Sequence, residues 1–129
     1  MRSHTRALIA ASAFAVLTGK KVAGVFDHTN ARRLKIAAEA RGEKLQAFDG
    51  ERSIHFGGTL PELYDEGDKS HISFEVIGDI VRGHDRGSGS NYSAQVTNGV
   101  AQVFDYAEDA WFDYDIQDPQ QPRAFHRAP

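Results

Sequence analysis

Cysteine is absent from the chain, which excludes a disulfide scaffold, a thiolate metal site and a cysteine nucleophile, and says nothing of redox compartment. No charge sign dominates either. Fifteen Lys and Arg against eighteen Asp and Glu leave a formal charge of −3, too balanced for a dedicated nucleic-acid binder. No apolar run approaches the ~20 residues needed to cross a bilayer. Methionine occurs once, beside twelve Gly and eight Phe, a balance that leans toward turns and strands rather than a helical bundle. What is present suffices for one folded domain. The 129 residues fall within the ~100–150 typical of a domain, long enough to bury a useful core. Forty per cent apolar and 26% charged residues exclude a wholly disordered chain.

Arg2, His4 and Arg6 precede an apolar run from Ala7 to Leu17, closed by Thr18, Gly19 and Lys20-Lys21. A basic start, a short apolar stretch and small residues at Ala13 and Ala15 fit a secretory signal, which would export the protein. The preferred reading is a buried helix over residues 1–18, which favours the cytoplasm. Ser12 is the only polar residue inside the run, so the helix is apolar all round and calls for enclosure by the rest of the fold. Ser3 or Thr5 can cap its start, and Gly19 stands where a C-terminal glycine belongs.

Residues 19–116 read as five copies of one β-hairpin. Aromatic-Asp pairs recur at Phe26-Asp27, Phe48-Asp49, Tyr64-Asp65 and Phe104-Asp105, with His84-Asp85 as a variant. Seven residues after each Asp stand Leu34, Phe56, Ile72, Tyr92 and Phe112; nine after, Ile36, Gly58, Phe74, Ala94 and Tyr114. An apolar period of two is a strand with one buried face. Before each Asp the chain alternates again, so each unit is strand, turn, strand. The Asp itself suits the first turn position, where its carboxylate accepts a backbone N–H two residues on. A structural turn explains five recurrences better than catalysis does. Arg32–Ala40 has high helix propensity, yet the repeat register makes it a strand. Complete patterns in the first and last units favour a ring or barrel closed on itself, without exposed edges. Small inward positions (Ala23, Ala47, Gly83, Ala94, Ala101) leave room for the apolar helix inside. The fold class is therefore mainly β, with five antiparallel hairpins in ten short strands and an N-terminal helix. Residues 117–129, rich in Pro and Gln, read as a mobile tail.

The segments Ala23-Gly24-Val25-Phe26-Asp27, Arg82-Gly83-His84-Asp85-Arg86-Gly87-Ser88-Gly89-Ser90 and Val103-Phe104-Asp105-Tyr106 resemble small bacterial proteins built from repeated β-hairpins, of the β-flower type. The resemblance covers roughly residues 19–116. It implies an architecture and, since such proteins carry no assigned activity, transfers no catalytic residue.

The residue before each Asp and the residue six after it share the face opposite the core, and hairpin geometry makes them neighbours. The pairs are Phe26 with Arg33, Phe48 with His55, Tyr64 with His71, His84 with Asn91, and Phe104 with Trp111. Together they form a candidate ligand-binding surface able to stack on a sugar or another flat polar molecule. As bland cross-strand pairs they would simply stiffen each hairpin. His55, His71 and His84 lack any His-x-His or His-Glu-x-x-His spacing, so no metal is expected. There is no Gly-x-Ser-x-Gly elbow and no spaced nucleophile and base, so neither a catalytic set nor a cofactor is expected. The sequence thus points to a non-catalytic binding or interaction module for a small ligand or a protein. A structural, self-associating subunit is the alternative, and an enzyme ranks third.

Overall fold

A computed structural model describes residues 1–119. Helix α1 (Ser3–Thr18) is followed by twelve strands. They are β1 (Gly24–Asp27), β2 (Arg32–Leu34), β3 (Ile36–Arg41), β4 (Lys44–Asp49), β5 (Ile54–Thr59), β6 (Glu62–Asp65), β7 (Ser70–Ser73), β8 (Glu75–Ile77), β9 (Ile80–Asp85), β10 (Ser90–Thr97), β11 (Val100–Asp105) and β12 (Ala110–Gln117). The protein is mainly β, and Arg32–Ala40 is extended, as the alternation demands. Twelve strands stand where ten were expected, because two strands break in mid-course. One break falls at Lys35, between β2 and β3; the other falls at Phe74, between β7 and β8.

All pairings are antiparallel. The sheet starts at β2, passes through β1, β12, β11, β10, β9, β7, β6, β5 and β4, and ends on β3, with β8 branching from β9. Its two ends, β2 and β3, are separated only by Lys35, so the sheet curls back on the same stretch of chain. A reciprocal pair of hydrogen bonds between Val22 and Ala38 (2.8 and 3.1 Å) draws the seam together. The result is a nearly closed barrel, which leaves little strand edge open to stray pairing.

Helix α1 lies inside. Thr5 and every residue from Ala7 to Ala15 are buried, so along Ala7–Ala15 no face of the helix meets water. Gly19 ends it in the left-handed conformation (φ 72°), its N–H bonding the Ala15 carbonyl at 3.0 Å. No side chain caps the start. The helix packs on β1, β3, β4, β10, β11 and β12. Inward residues on four of these strands are small (Ala38, Ala47, Ala94, Ala101), while Phe56, Leu63, Ile72 and Phe74 fill the other side of the barrel. Side-chain volume is therefore traded around the ring to seat the helix off centre, as close packing requires. Ala23 differs from expectation: it is exposed, and Val22 and Val25 point inward instead. Among the described residues no helix is long and apolar enough to cross a membrane. Of the expected tail 117–129, Gln117 belongs to β12 and Asp118 is buried near Lys20; residues 120–129 lie outside the described residues.

Candidate functional site

The recurring aspartates build the turns that hold everything else. Asp27, Asp49, Asp65, Asp85 and Asp105 are all buried, and the Oδ1 of each accepts the backbone N–H two residues on, at 2.8–3.0 Å. Four residues after each Asp the chain turns left-handed, at Ala31, Ser53, Lys69, Gly89 and Asp109 (φ 52–76°). Only one of these is glycine, so in the other four the hydrogen-bonded carboxylate holds a backbone that L-residues avoid. The role is structural.

Burying so many carboxylates at one end of the barrel demands cations or donors. Arg52 serves two of them, Nε to Asp49 (2.8 Å) and Nη2 to Asp65 (2.9 Å), and its Nη1 reaches the half-buried Asp68 (3.3 Å). Asp105 receives the Met1 ammonium at 2.9 Å and Arg6 Nη1 at 3.1 Å. Burial pushes the Asp105 carboxyl up, but hydrogen bonds from the ammonium and Arg6 outweigh it and hold the group below its usual range. Asp68 is likewise raised by burial and lowered further by His4, Arg52 and Arg2, with a net downward shift. His4, Asp65 and Asp68 bring three metal-ligand atoms within 4.8 Å of one another. Arg52 and Arg2 already lie against these carboxylates, supplying the counter-charge that an ion would bring.

The pairs read from the sequence as a ligand surface are directly opposite in register: Phe26 with Arg33, Phe48 with His55, Tyr64 with His71, His84 with Asn91, and Phe104 with Trp111. They stand on the outside of the barrel, one residue from the turn aspartates, and form a belt rather than one pocket. His84 and Asn91 share a 2.7 Å hydrogen bond. Tyr64 and His71 meet tilted by 55° at 4.8 Å between centroids, and Phe26 meets His28 edge to face at 5.2 Å. His55 and Tyr64 flank a hollow of about 360 Å³ whose floor is opened by Gly57 and Gly58.

One stretch of the belt combines exposed rings with ordered polar groups. Phe104 on β11 meets Trp111 on β12 (5.2 Å, 63°) and Tyr106 just past the strand (4.8 Å, 80°). Trp111 is 50% exposed and Tyr106 55%. Tyr106 Oη is tied to Ser93 Oγ at 3.2 Å. One row further along the same face runs an amide ladder: Gln95 Nε2 donates to Gln102 Oε1 (2.8 Å), and Gln102 Nε2 donates to Asp113 Oδ1 (3.1 Å). The groove between rings and ladder encloses about 330 Å³ and is lined by Ile80, Ser93, Ala94, Gln95, Phe104, Tyr106 and Trp111, none of them charged. Ser93, Gln95, Gln102 and Tyr106 were missing from the residues expected at the site. Their signal was the same outward alternation, two residues along the chain from the ring row, outside the aromatic-Asp pairs themselves.

The chain matches no family model, and no curated protein or solved structure matches it either.

Proposed function

We propose that the protein is a non-catalytic binding module whose barrel displays a sugar-binding groove on β10, β11 and β12. The observation that carries this reading is the half-exposed pair Trp111 and Tyr106 beside Phe104 and above the amide ladder of Gln95 and Gln102. A pyranose has an apolar C–H face, which stacks on an aromatic ring, and a rim of hydroxyls, which needs donors and acceptors held in place. The groove offers both. The mutual hydrogen bonds of the ladder keep its amides oriented before a ligand arrives, which lowers the entropic cost of binding. A five-unit hairpin repeat of the β-flower type accounts for the arrangement: each turn Asp sets an outward ring beside it, and neighbouring units place those rings side by side.

Trp111 is the only tryptophan, so fluorescence excited selectively from tryptophan reads this groove alone. Titration with a panel of neutral and acidic oligosaccharides should give a saturable change with at least one, and Tyr106→Ala should weaken it. No saturable change across the panel, with the fold intact by circular dichroism, would sink the proposal.

A second reading, a self-associating structural subunit, is favoured by one feature. Among the described residues β8 pairs only with β9, and its Val76 and Ile77 are 42% and 40% exposed. An apolar strand with an open edge is a template for a second copy. Sedimentation velocity separates the two: a concentration-dependent dimer abolished by Ile77→Lys supports self-association, and a monomer at all concentrations rejects it.

A further inference from the structure

A second groove on the barrel repeats the geometry of the first with a charged lining in place of an uncharged one. On the far side, Phe48 of β4 meets His55 of β5 at 5.2 Å and 62°, matching the 5.2 Å and 63° of Phe104 and Trp111. The register agrees residue for residue. Ala37, Phe48 and His55 lie in one cross-strand row as Ser93, Phe104 and Trp111 do. Glu39 and Gln46 lie in the next row as Gln95 and Gln102 do. The hollows on the same side of the two ring pairs have similar volumes, about 300 Å³ beside Phe48 and about 330 Å³ beside Phe104. Phe48 is 38% exposed, so its ring is open to a ligand.

The charges differ. Glu39 replaces Gln95 and is engaged by Arg41 Nε at 2.8 Å and Lys21 Nζ at 3.9 Å. Lys44, opposite Arg41 on the same face, completes the next row. Two cations thus pair with Glu39, and Lys44 adds a third positive charge one row beyond the hollow, where the first groove is lined by uncharged residues. Gln46, the counterpart of Gln102, has Gly57 opposite it, where Gln102 bonds Asp113.

We propose that this groove is a second ligand site, for a carboxylate-bearing sugar. The pyranose face stacks on Phe48 and His55, and the carboxylate meets Lys21, Arg41 and Lys44. The inference rests on the reading of the outer aromatic grooves as sugar sites and adds a distinct ligand class for this one.

The test uses amide-resolved NMR titration of the full chain with tetragalacturonate, with sialyllactose, and with a neutral glucose tetramer. Either acidic sugar should shift signals of β3, β4 and β5. Galacturonate then points to chain uronates and sialyllactose to terminal sialic acids. Lys44→Glu, an exposed change away from the core, should weaken the acidic sugar about tenfold, the loss of one charged hydrogen bond, and added salt should act in the same direction. Trp111→Ala should leave it unchanged. Acidic sugars that leave β3–β5 unshifted, or whose binding survives Lys44→Glu but is lost in Trp111→Ala, overturn the second site. The first groove is judged separately, by Trp111 fluorescence with the neutral tetramer. Response there without acidic binding at β3–β5 refutes this inference alone; acidic binding at β3–β5 without any Trp111 response to any sugar refutes the first site alone.

Discussion

Arg52 is the residue whose removal the structure makes most costly for its size. Its guanidinium satisfies Asp49 and Asp65, which are 2% and 0% exposed, and reaches Asp68 as well. Burial alone would favour the neutral form of Arg52, but the hydrogen bonds to Asp65 and Asp49 reverse this, and the group is held more firmly protonated than usual. Arg52→Ala leaves two buried carboxylates without their cation, although the turn N–H groups still bond them. Breaking a buried ion pair from one side costs ~3–5 kcal/mol, against a total domain stability of ~5–15 kcal/mol. For a domain of this size that is a fall in Tm of roughly 10–20 °C. Urea denaturation followed by circular dichroism at neutral pH measures the loss directly. Two variants frame it. Arg32→Ala removes an exposed pair with Glu51 at 3.4 Å and should change stability by no more than ~0.5 kcal/mol. Arg52→Lys keeps the charge but cannot fork to three carboxylates, and should fall between wild type and Arg52→Ala. Adding Asp65→Asn to Arg52→Ala should cost less than the sum of the single changes, because the second removes a charge that the first has stranded. If Arg52→Ala were as mild as Arg32→Ala, this arginine would not be what neutralises the turn carboxylates.

Further perturbations test the interior and the turns. Ser12 Oγ is buried inside α1 and has no hydrogen-bond partner among the described residues, so Ser12→Ala should raise stability by up to ~1 kcal/mol in urea melts, and a loss of that size would reveal a missed partner. A methyl at Gly83 would run into the Ser73 carbonyl and the Tyr92 hydroxyl, which themselves form a 2.7 Å hydrogen bond, so Gly83→Ala should lower stability by ~1–3 kcal/mol; an unchanged urea midpoint would show that the strands can part there. Asp105 and Asp68 are both held below their usual range when folded, so their contribution is present above the unfolded carboxylate value of ~3.9 and is lost as pH falls through their lower folded values. Urea midpoints should therefore drop below about pH 4, and Asp105→Asn should flatten that drop; stability that rises on acidification would contradict the sign.

The architecture was legible because its causes are local. A period of two marks a strand with one buried face whatever its neighbours do, which is why Arg32–Ala40 became strand despite its helix propensity. An Asp two residues before a needed N–H marks a turn. The absence of a polar face on Ala7–Leu17 marks burial on every side, and the helix lies inside the barrel. The breaks at Lys35 and Phe74 were not legible, because they answer to curvature. Around Lys35 the chain leaves β1 to join β4; around Phe74 it leaves β6 and keeps only β9. Nothing in either segment alone states where its neighbour changes.

The candidate site divides along the same line. Each cross-strand pair follows from the spacing of seven between the residue before an Asp and its partner, and all five pairs stand opposite one another. Their grouping into grooves depends on lateral contacts between hairpins, such as Ser93 beside Phe104 or Ala37 beside Phe48, which join residues eleven apart in the chain across a different strand pair. Such contacts decide the polarity of each groove. Phe48 with His55 and Phe104 with Trp111 are nearly identical as isolated ring pairs, and only the preceding strand distinguishes them: β10 brings Ser93 and Gln95 to one, β3 brings Ala37 and Glu39 to the other. The ring pair supplies a stacking surface, and the neighbouring strand supplies its charge. Exchanging the two acidic and amide positions, Gln95→Glu with Glu39→Gln, therefore reassigns polarity without touching a ring, and in NMR titrations the preference for acidic over neutral sugars should strengthen at β3–β5, where Lys21 and Arg41 lose their internal partner, and fall beside Phe104, which gains a carboxylate. A preference that follows the rings regardless of this exchange would place specificity in the aromatic pairs and refute the division.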